Sequence, residues 1–478
     1  MISSDRMAAV DANAAALGVP QKQLMESSGN AVARVVSDLV APGAAVAIVA
    51  GRGNNGGDAF VAARFLDEYD VTVHLLGREE TISTDIAREN WEALQEAEYD
   101  SREVRDSTDL DLGSPDLIID GMLGTGVTGA LREPEKSAAE AINAAGATVV
   151  SVDVPTGMDA DTGSSEGIAV GADHVVTFHD MKPGLENFPN VTVADIGIPA
   201  AAELFVGPGD LQSLTRQSDS HKGDHGEVLV VGGGPYTGAP ALSAQSALRA
   251  GADLVRVACP ESIAREIQGY SENLIVRPFD GDQLEPAHVE SLLELAADHD
   301  TVVFGPGLGS ADETLEAVGE FLESLDGTAV IDADALQVVP NVETEATLIC
   351  TPHQGELQKM GGETDSDWRT RKDLVADFAA ELEQPLLVKG AYDVISDGET
   401  IRVNRTGNPG MTVGGTGDVL AGATGALAAT HDPPQAAAIA AYATGRAGDI
   451  VAEERGYGMM ATDLLSNLPI ALWGERDE

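Results

Sequence analysis

The stretch Asn408-Pro-Gly-Met-Thr-Val-Gly-Gly-Thr-Gly-Asp418-Val-Leu-Ala-Gly422 decides the reading of this chain. Four glycines precede an aspartate, and the aspartate opens an apolar, Ala-rich run that continues to Ala429. The pattern predicts a glycine loop feeding a helix, with bare backbone N–H groups at the helix N-terminus. The helix dipole there favours an anion. A carboxylate beside an anion hole is electrostatically unfavourable unless it works as a base. Asp418 could take the proton from a hydroxyl that attacks a phosphoryl group, while the N–H groups of Gly415, Thr416 and Gly417 hold the oxyanion.

Outward from that stretch, apolar runs alternate with helical ones. Residues 1–40 read as helical. Strands are expected at 45–50, 71–76, 117–120, 148–152, 174–177 and 191–194, with helices at 59–68, 91–98 and 136–145. The polar, aperiodic stretch 211–226 interrupts the alternation. It restarts with strands at 227–231, 254–258, 301–304, 329–331, 346–350 and 386–388. Repeated βα alternation predicts mostly parallel sheets covered on both faces. At 478 residues the chain is too long for one ordinary domain. Two α/β domains are expected, 1–212 and 213–478, without a convincing repeat between them.

The net charge of −51 is extreme, and only seven lysines occur, at 22, 136, 182, 222, 359, 372 and 389. Apolar runs recur throughout and no acidic tail stands out, so the acid belongs to a folded surface rather than to a disordered chain. Such a surface suits a cytoplasm with molar salt, where the Debye length falls to roughly 3 Å. A halophilic source is therefore expected. A basic footprint for nucleic acid is missing. The first ten residues carry no apolar signal core, and no segment approaches the roughly 20 apolar residues of a membrane span. A cytoplasmic protein without nucleic-acid or membrane partners is expected. Cys259 and Cys350 form no metal-type pair and read as two buried thiols in a reducing compartment.

In the first half, Gly51-Arg-Gly-Asn54-Asn55-Gly56-Gly57-Asp58 joins a strand to a helix. It contains G-x-G-x-x-G, but the next strand ends His74-Leu-Leu-Gly-Arg78, without the acid a dinucleotide-binding dehydrogenase uses on ribose. Asp120 ends a strand and leads into Gly-Met-Leu-Gly124-Thr125-Gly126-Val127-Thr128-Gly129-Ala130, a second anion-friendly loop. Asp153 ends another and leads into Val-Pro-Thr156-Gly. Ligands of open parallel sheets bind beyond the strands' carboxyl ends, so Asn55, Asp120, Asp153 and Thr156 should face one crevice. Their hard oxygens suit a monovalent or divalent cation.

The order GxGNNGGD, DGMLGTG, VDVPTG and then Asp180-Met-Lys182-Pro-Gly-Leu185 resembles the NAD(P)H-hydrate epimerase family across nearly all of residues 1–210. The resemblance implies a Rossmann-like three-layer domain that binds K⁺ and interconverts the R and S forms of hydrated NADH and NADPH. It places K⁺ on Asn55, Asp120 and Thr156, and the substrate's phosphates on Asn54, Asn55, Gly56, Gly57 and Asp58 and on the loop from Gly124 to Ala130. Asp153 would be the acid/base, assisted by Lys182, whose plainer reading is a solvated loop charge. Glu26-Ser-Ser-Gly29 departs from the Glu-Asn-Ala-Gly-like sequence of the family.

In the second half, His221-Lys-Gly-Asp-His-Gly226, Gly232-Gly-Gly-Pro-Tyr-Thr-Gly238-Ala239, Gly305-Pro-Gly307-Leu-Gly309, Asp332-Ala-Asp334-Ala-Leu336, Thr351-Pro-His353-Gln-Gly-Glu356 and Lys389-Gly390-Ala391-Tyr392-Asp393 lie at or beside strand ends. Together they resemble the ADP-dependent NAD(P)H-hydrate dehydratase family, a branch of the ribokinase-like α/β fold, from about 220 to 470. The resemblance implies that Lys389 to Asp393 and Gly417 contact the nucleotide. Ala239, Gly307, His353 and Asp418 would contact the hydrate. His353 also fits a plain helix N-cap. ADP with Mg²⁺ as phosphate donor and a homo-oligomeric state are implied, although sequence alone does not separate ADP from ATP. The rival reading is a ribokinase-like small-molecule kinase fused to a non-catalytic nucleotide-binding domain.

Overall fold

Within β1 (Ala45–Ala50), Val46, Ile48 and Ala50 enter one apolar cluster while Ala47 and Val49 enter another. A strand whose successive side chains are all buried on opposite faces belongs to the middle of a covered sheet. The computed structural model describes residues 1–126 and 129–474; Val127 and Thr128 of the expected second phosphate loop lie outside them. The sheet that contains β1 also holds β2 (Asp70–Leu76), β3 (Asp100–Val104), β4 (Leu117–Gly121), β5 (Thr148–Val152), β6 (His174–Phe178) and β7 (Val191–Ala194). The order is β3-β2-β1-β4-β5-β6-β7, and every pairing is parallel. The order reverses between β1 and β4, where a crevice opens beyond the strands' carboxyl ends.

The second unit repeats the logic. Val228 and Val230 of β8 (Glu227–Val231) enter one cluster, and Leu229 and Val231 enter the other. Each fully buried Val or Leu contributes about 1.5–3 kcal/mol. The partners are β9 (Leu254–Pro260), β10 (Ile275–Phe279), β11 (Thr301–Phe304), β12 (Thr328–Ile331), β13 (Thr347–Cys350), β14 (Leu386–Val388), β15 (Asp393–Ser396) and β16 (Ile401–Asn404). Their order is β10-β9-β8-β11-β12-β13-β14-β15-β16, so the switch lies between β8 and β11. The last two pairings, β14–β15 and β15–β16, are antiparallel.

Several elements differ from expectation. β3 and β10 are edge strands whose sequences, Asp-Ser-Arg-Glu-Val and Ile-Val-Arg-Pro-Phe, carry no apolar run. Pro278 is tolerated because an edge strand leaves one set of N–H groups unpaired. The helical start is two helices, Ser4–Ala16 and Gln21–Leu39, parted around Gly18 and Pro20. The chain divides into compact units between Ala202 and Glu203, earlier than the expected 212. Packing explains the difference. Val206 N–H donates to Val403 O at 3.0 Å, and Arg402 Nη2 pairs with Asp210 at 2.8 Å. Composition changes only after these contacts are made.

The helix Thr416–Ala428 is buried from Val419 to Leu427 and packs on the helix Gly238–Ala250. A Cβ at Gly422 would sit 2.0 Å from Ser243 O, so only glycine fits this approach. Ser243 Oγ donates to Asp418 O at 2.9 Å, and Thr301 Oγ1 to Gly425 O at 2.7 Å. The helix that carries Asp418 is thereby fixed against β11. Among the described residues, no helix is long and apolar enough to cross a membrane.

Candidate functional site

In the first unit, the loop after β1 enters the helix Asn54–Arg64, whose first turn holds Asn54, Asn55, Gly56, Gly57 and Asp58. The glycines are required by contact. A Cβ on Gly51 would lie 1.9 Å from Met122 O, and one on Gly56 2.1 Å from Gly51 O. The loops after β1 and β4 therefore touch backbone to backbone, and Gly124 faces the Asn55 side chain. Half-buried Thr125 and exposed Gly126 form a turn beyond Gly124, and Gly129 (φ +88°) and Ala130 lie at the surface.

Asp120 is fully buried at the end of β4. Its carboxylate accepts hydrogen bonds from Ser151 Oγ at 2.8 Å, Thr156 N at 2.9 Å, Thr156 Oγ1 at 2.7 Å and Met122 N at 3.3 Å. Burial raises its pKa, against the pull of these donors. Asn55 Nδ2 is buried without a hydrogen-bond partner among the described residues. The orphaned Nδ2 is a hydrogen-bond donor that calls for a polar acceptor, whereas the oxygens of Asp120, Thr156 and Asn55 are the hard donors a monovalent cation would take.

Asp153 follows β5 in left-handed backbone, φ +64°, a conformation uncommon for a residue with a side chain. Its Oδ1 accepts from Thr177 Oγ1 at 3.0 Å and lies 3.4 Å from Lys182 Nζ. Lys182 is 1% exposed, which excludes the solvated-charge reading, and donates to Phe178 O at 2.9 Å and Asp180 O at 3.2 Å. Two further carboxyls face this pair. Asp58 is held well above the ordinary range by burial, then by Asp153 and Asp11. Asp11 is pushed up to about 6 by burial and Asp153, against Lys182 and His179. Asp153 and Asp11 both feel the buried Lys182, while Asp58 feels only the other two carboxyls, so the three sites differ in their hold on a proton. Sequence reasoning missed Asp11 and Thr177. Asp11 sits in an Ala-rich helix with no motif around it, and Thr177 reads as an ordinary strand residue.

In the second unit, Gly415 N-caps the helix Thr416–Ala428 in left-handed backbone, φ +98°, without a capping side chain. Among the described residues, the N–H groups of Gly415, Thr416 and Gly417 donate to no acceptor. Asp418 follows in the first turn. Burial, and then Asp332, raise its pKa to about 7, with Lys389 opposing. Lys389 stands at the end of β14. Its Nζ lies 2.8 Å from Asp332 Oδ1 and 3.9 Å from Glu356 Oε2, and a Cβ at Gly417 would come within 3.3 Å of it. Burial lowers the Lys389 pKa, but Asp332 and Glu356 outweigh it and the net shift is upward. An ammonium beside the positive end of a helix is an anion site with two sources of attraction. Asp332 was read as part of a motif only; its role as the Lys389 partner was missed.

His353 caps the helix Gln354–Met360. Its Nδ1 accepts from Gly355 N at 2.9 Å and Glu356 N at 3.1 Å, and Glu356 Oε2 accepts from His353 N at 2.8 Å. The N-cap alternative is therefore what the ring does, while 60% of the side chain stays exposed. His353 also bridges Lys389 across the ends of β13 and β14. Ala239, in the first turn of the helix Gly238–Ala250, packs near Gly307 (φ +75°), where a Cβ would come 3.3 Å from the Ala239 Cβ. Gly390, Ala391 and Tyr392 form the turn after Lys389, and Tyr392 stacks on Trp368 at 5.1 Å between centroids. Asp393 accepts from Gly390 N and Asn404 Nδ2, both at 2.9 Å, and burial pushes it up to about 6. Lys389 to Asp393 are thus held as one rigid turn.

Residues 228–470 match the NAD(P)H-hydrate dehydratase family, and residues 21–184 match the family described as YjeF-related protein N-terminus. The chain is 45% identical to the bifunctional NAD(P)H-hydrate repair enzyme Nnr of Archaeoglobus fulgidus, over 98% of each chain. It is 43% identical to the enzyme of the same name from Methanothermobacter thermautotrophicus, over 97% of this chain and 93% of the relative. Among solved structures, a ribokinase-like superfamily protein from Enterococcus faecalis covers 56% of this chain and 95% of its own, at a TM-score of 0.50 and 24% identity. That likeness concerns the fold of the second unit. With full-length identity above 40% and both halves matched, the chain belongs to the bifunctional NAD(P)H-hydrate repair enzyme family.

Proposed function

We propose that the first domain epimerises hydrated NADH and NADPH and that the second dehydrates the S hydrate at the expense of ADP. One observation carries the second activity: Asp418, with a pKa of about 7, stands between an open helix N-terminus and the Lys389 ammonium. A base poised near neutrality beside a phosphate hole serves proton removal during phosphoryl transfer.

Asp418 takes the proton from the hydroxyl on the hydrated nicotinamide ring. The hydroxyl oxygen bonds to the terminal phosphorus of ADP, and the bond to AMP breaks. Gly415, Thr416 and Gly417 N–H groups and Lys389 hold the charge that develops on the transferred group. The ring nitrogen then supplies an electron pair, the C–O bond breaks and phosphate leaves; loss of a proton from the adjacent ring carbon turns the resulting iminium into the dihydronicotinamide. Phosphorylation converts hydroxide, a poor leaving group, into a good one. Lys389, Gly390, Ala391, Tyr392 and Asp393 orient the nucleotide; Ala239, Gly307 and His353 line the hydrate's side of the crevice. Among the described residues no cluster of three or more His, Cys, Asp or Glu side chains could hold a metal. Mg²⁺ would come with the nucleotide phosphates, its usual mode, and would offset their charge.

In the first domain, Asn55, Asp120 and Thr156 would hold K⁺, which when bound balances the buried Asp120 charge near the substrate's phosphates. Asn54 to Asp58 and the loop from Gly124 to Ala130 bind those phosphates. Asp153 moves the proton, and Lys182 holds its carboxylate in place. A homo-oligomer in a salt-rich cytoplasm completes this reading.

The deciding experiment is NADH recovery from a mixture of R and S hydrates, in KCl with Mg²⁺, with ADP or ATP. Full recovery with one nucleotide and none without it supports both activities and identifies the donor. Recovery that stops once the S form is consumed leaves an inactive first domain, and no recovery leaves the kinase reading.

A further inference from the structure

Aromatic residues make up only 4% of this chain, and it has seven tyrosines. Two of them, Tyr236 and Tyr270, are 64% and 52% exposed. The residue after Tyr236 ties the two segments together: Thr237 Oγ1 and the Tyr270 hydroxyl lie 3.1 Å apart in a hydrogen bond. Tyr236 belongs to the loop that joins β8 to the helix Gly238–Ala250, and Tyr270 ends the helix Ala264–Tyr270. The place of the pair matters more than its exposure. A Cβ on Gly307 would meet Tyr236 O at 2.6 Å, and one on Gly309 would meet the Pro235 ring at 3.0 Å. The two switch-point loops therefore interlock, and Tyr236 stands on their rim beside Ala239 and Gly307. Large rings left in water on a rigid rim are surfaces that a ligand can cover.

We propose that Tyr236, on a loop that Tyr270 ties down through Thr237, is the stacking surface for the purine ring of the dinucleotide hydrate, and so a specificity-determining residue of the dehydratase. The inference rests on the dehydratase reading given above. The reacting nicotinamide ring is hydrated and has lost its planar π face; the purine at the far end keeps one. With the reacting carbon at Asp418 and the hydrate spanning Ala239 and Gly307, the remote ring meets the rim that carries Tyr236. Binding that remote ring anchors the substrate while the chemistry proceeds at the other end. The stack is indifferent to the 2′-phosphate, so it serves NADH and NADPH hydrates alike.

The test compares full-length wild type, Tyr236→Ala and Tyr236→Phe on two substrates: NADH hydrate, and the hydrate of reduced nicotinamide mononucleotide, which lacks the purine. The kcat/KM for each hydrate and the KM for ADP are measured. Tyr236→Ala should lower kcat/KM for the dinucleotide roughly tenfold relative to the mononucleotide, the scale of one lost base stack, and Tyr236→Phe should restore the preference. Equal losses on both hydrates, a rise in the KM for ADP alone, or a change in oligomeric size on ultracentrifugation would overturn the assignment. A wild type that turns over neither hydrate would remove the dehydratase reading itself, and the inference with it. An active wild type whose preference survives Tyr236→Ala removes only the inference.

Discussion

Lys389 Nζ lies 2.8 Å from Asp332 Oδ1, across the ends of β14 and β12, and Thr351 Oγ1, just after β13, donates to the same oxygen at 2.9 Å. Three adjacent strand ends thus fix one charge pair, and that pair acts on Asp418 with opposite signs: Asp332 raises its pKa and Lys389 lowers it. Asp332→Asn should therefore move the acid limb of the dehydration pH profile to lower pH. It should also raise the KM for the nucleotide, because Lys389 loses its anchor. A pH series of kcat/KM in both proteins measures the shift; an unmoved limb would show that Asp418 does not titrate in this step.

Asp418→Asn should lower dehydration by about 10²–10⁴, the usual worth of a positioned base, and leave epimerisation intact. Assays with separately prepared R and S hydrates distinguish the two activities.

The same substitution has a stability consequence whose sign is fixed. The folded pKa of Asp418, about 7, lies above the ordinary aspartate value of 3.8. Between those values the folded state binds more protons than the unfolded one, so this group's contribution falls as pH rises through the window and stays unfavourable above 7. Asp418→Asn should raise the melting temperature at pH 8, and the difference should shrink as pH falls toward 5. A wild type as stable as the variant at pH 8 would contradict the burial of this carboxyl.

Asp153→Asn should abolish epimerisation and spare dehydration of S hydrate. The rate at which an R hydrate sample is repaired, with S hydrate as control, reports it. Loss of both activities would show that the two centres are not independent.

Gly422→Ala places a Cβ 2.0 Å from Ser243 O, backbone that cannot rotate away. The helix carrying Asp418 must then shift, at a cost of about 1–3 kcal/mol. Thermal unfolding should show a lower midpoint for the second domain, and dehydration should fall with it while epimerisation persists below that midpoint.

At a net charge of −51, self-repulsion should dominate in dilute buffer. The melting temperature should rise steeply between about 0.1 M and about 1 M KCl, as the Debye length falls from about 10 Å to about 3 Å. A salt-independent midpoint would count against adaptation to molar salt.

The sequence by itself determined the architecture and the loops. Central strands such as β1 and β8 are continuous apolar runs, and glycines before Asn54 and Asp418 mark helix starts, because both signals are local. Edge strands β3 and β10 escaped detection, since a strand half in water needs no apolar run. Tertiary structure alone decided which side chains meet. Asp11 comes from the first helix to face Asp153, Asp332 reaches Lys389 across the one strand between them, and His353 spends Nδ1 on its own helix cap. Lys182, legible only as a motif lysine, proved to be a buried ammonium, and burial is the sum of neighbours that the chain brings from far apart. Charge, burial and pKa at a site depend on through-space distance, and a linear pattern records only distance along the chain.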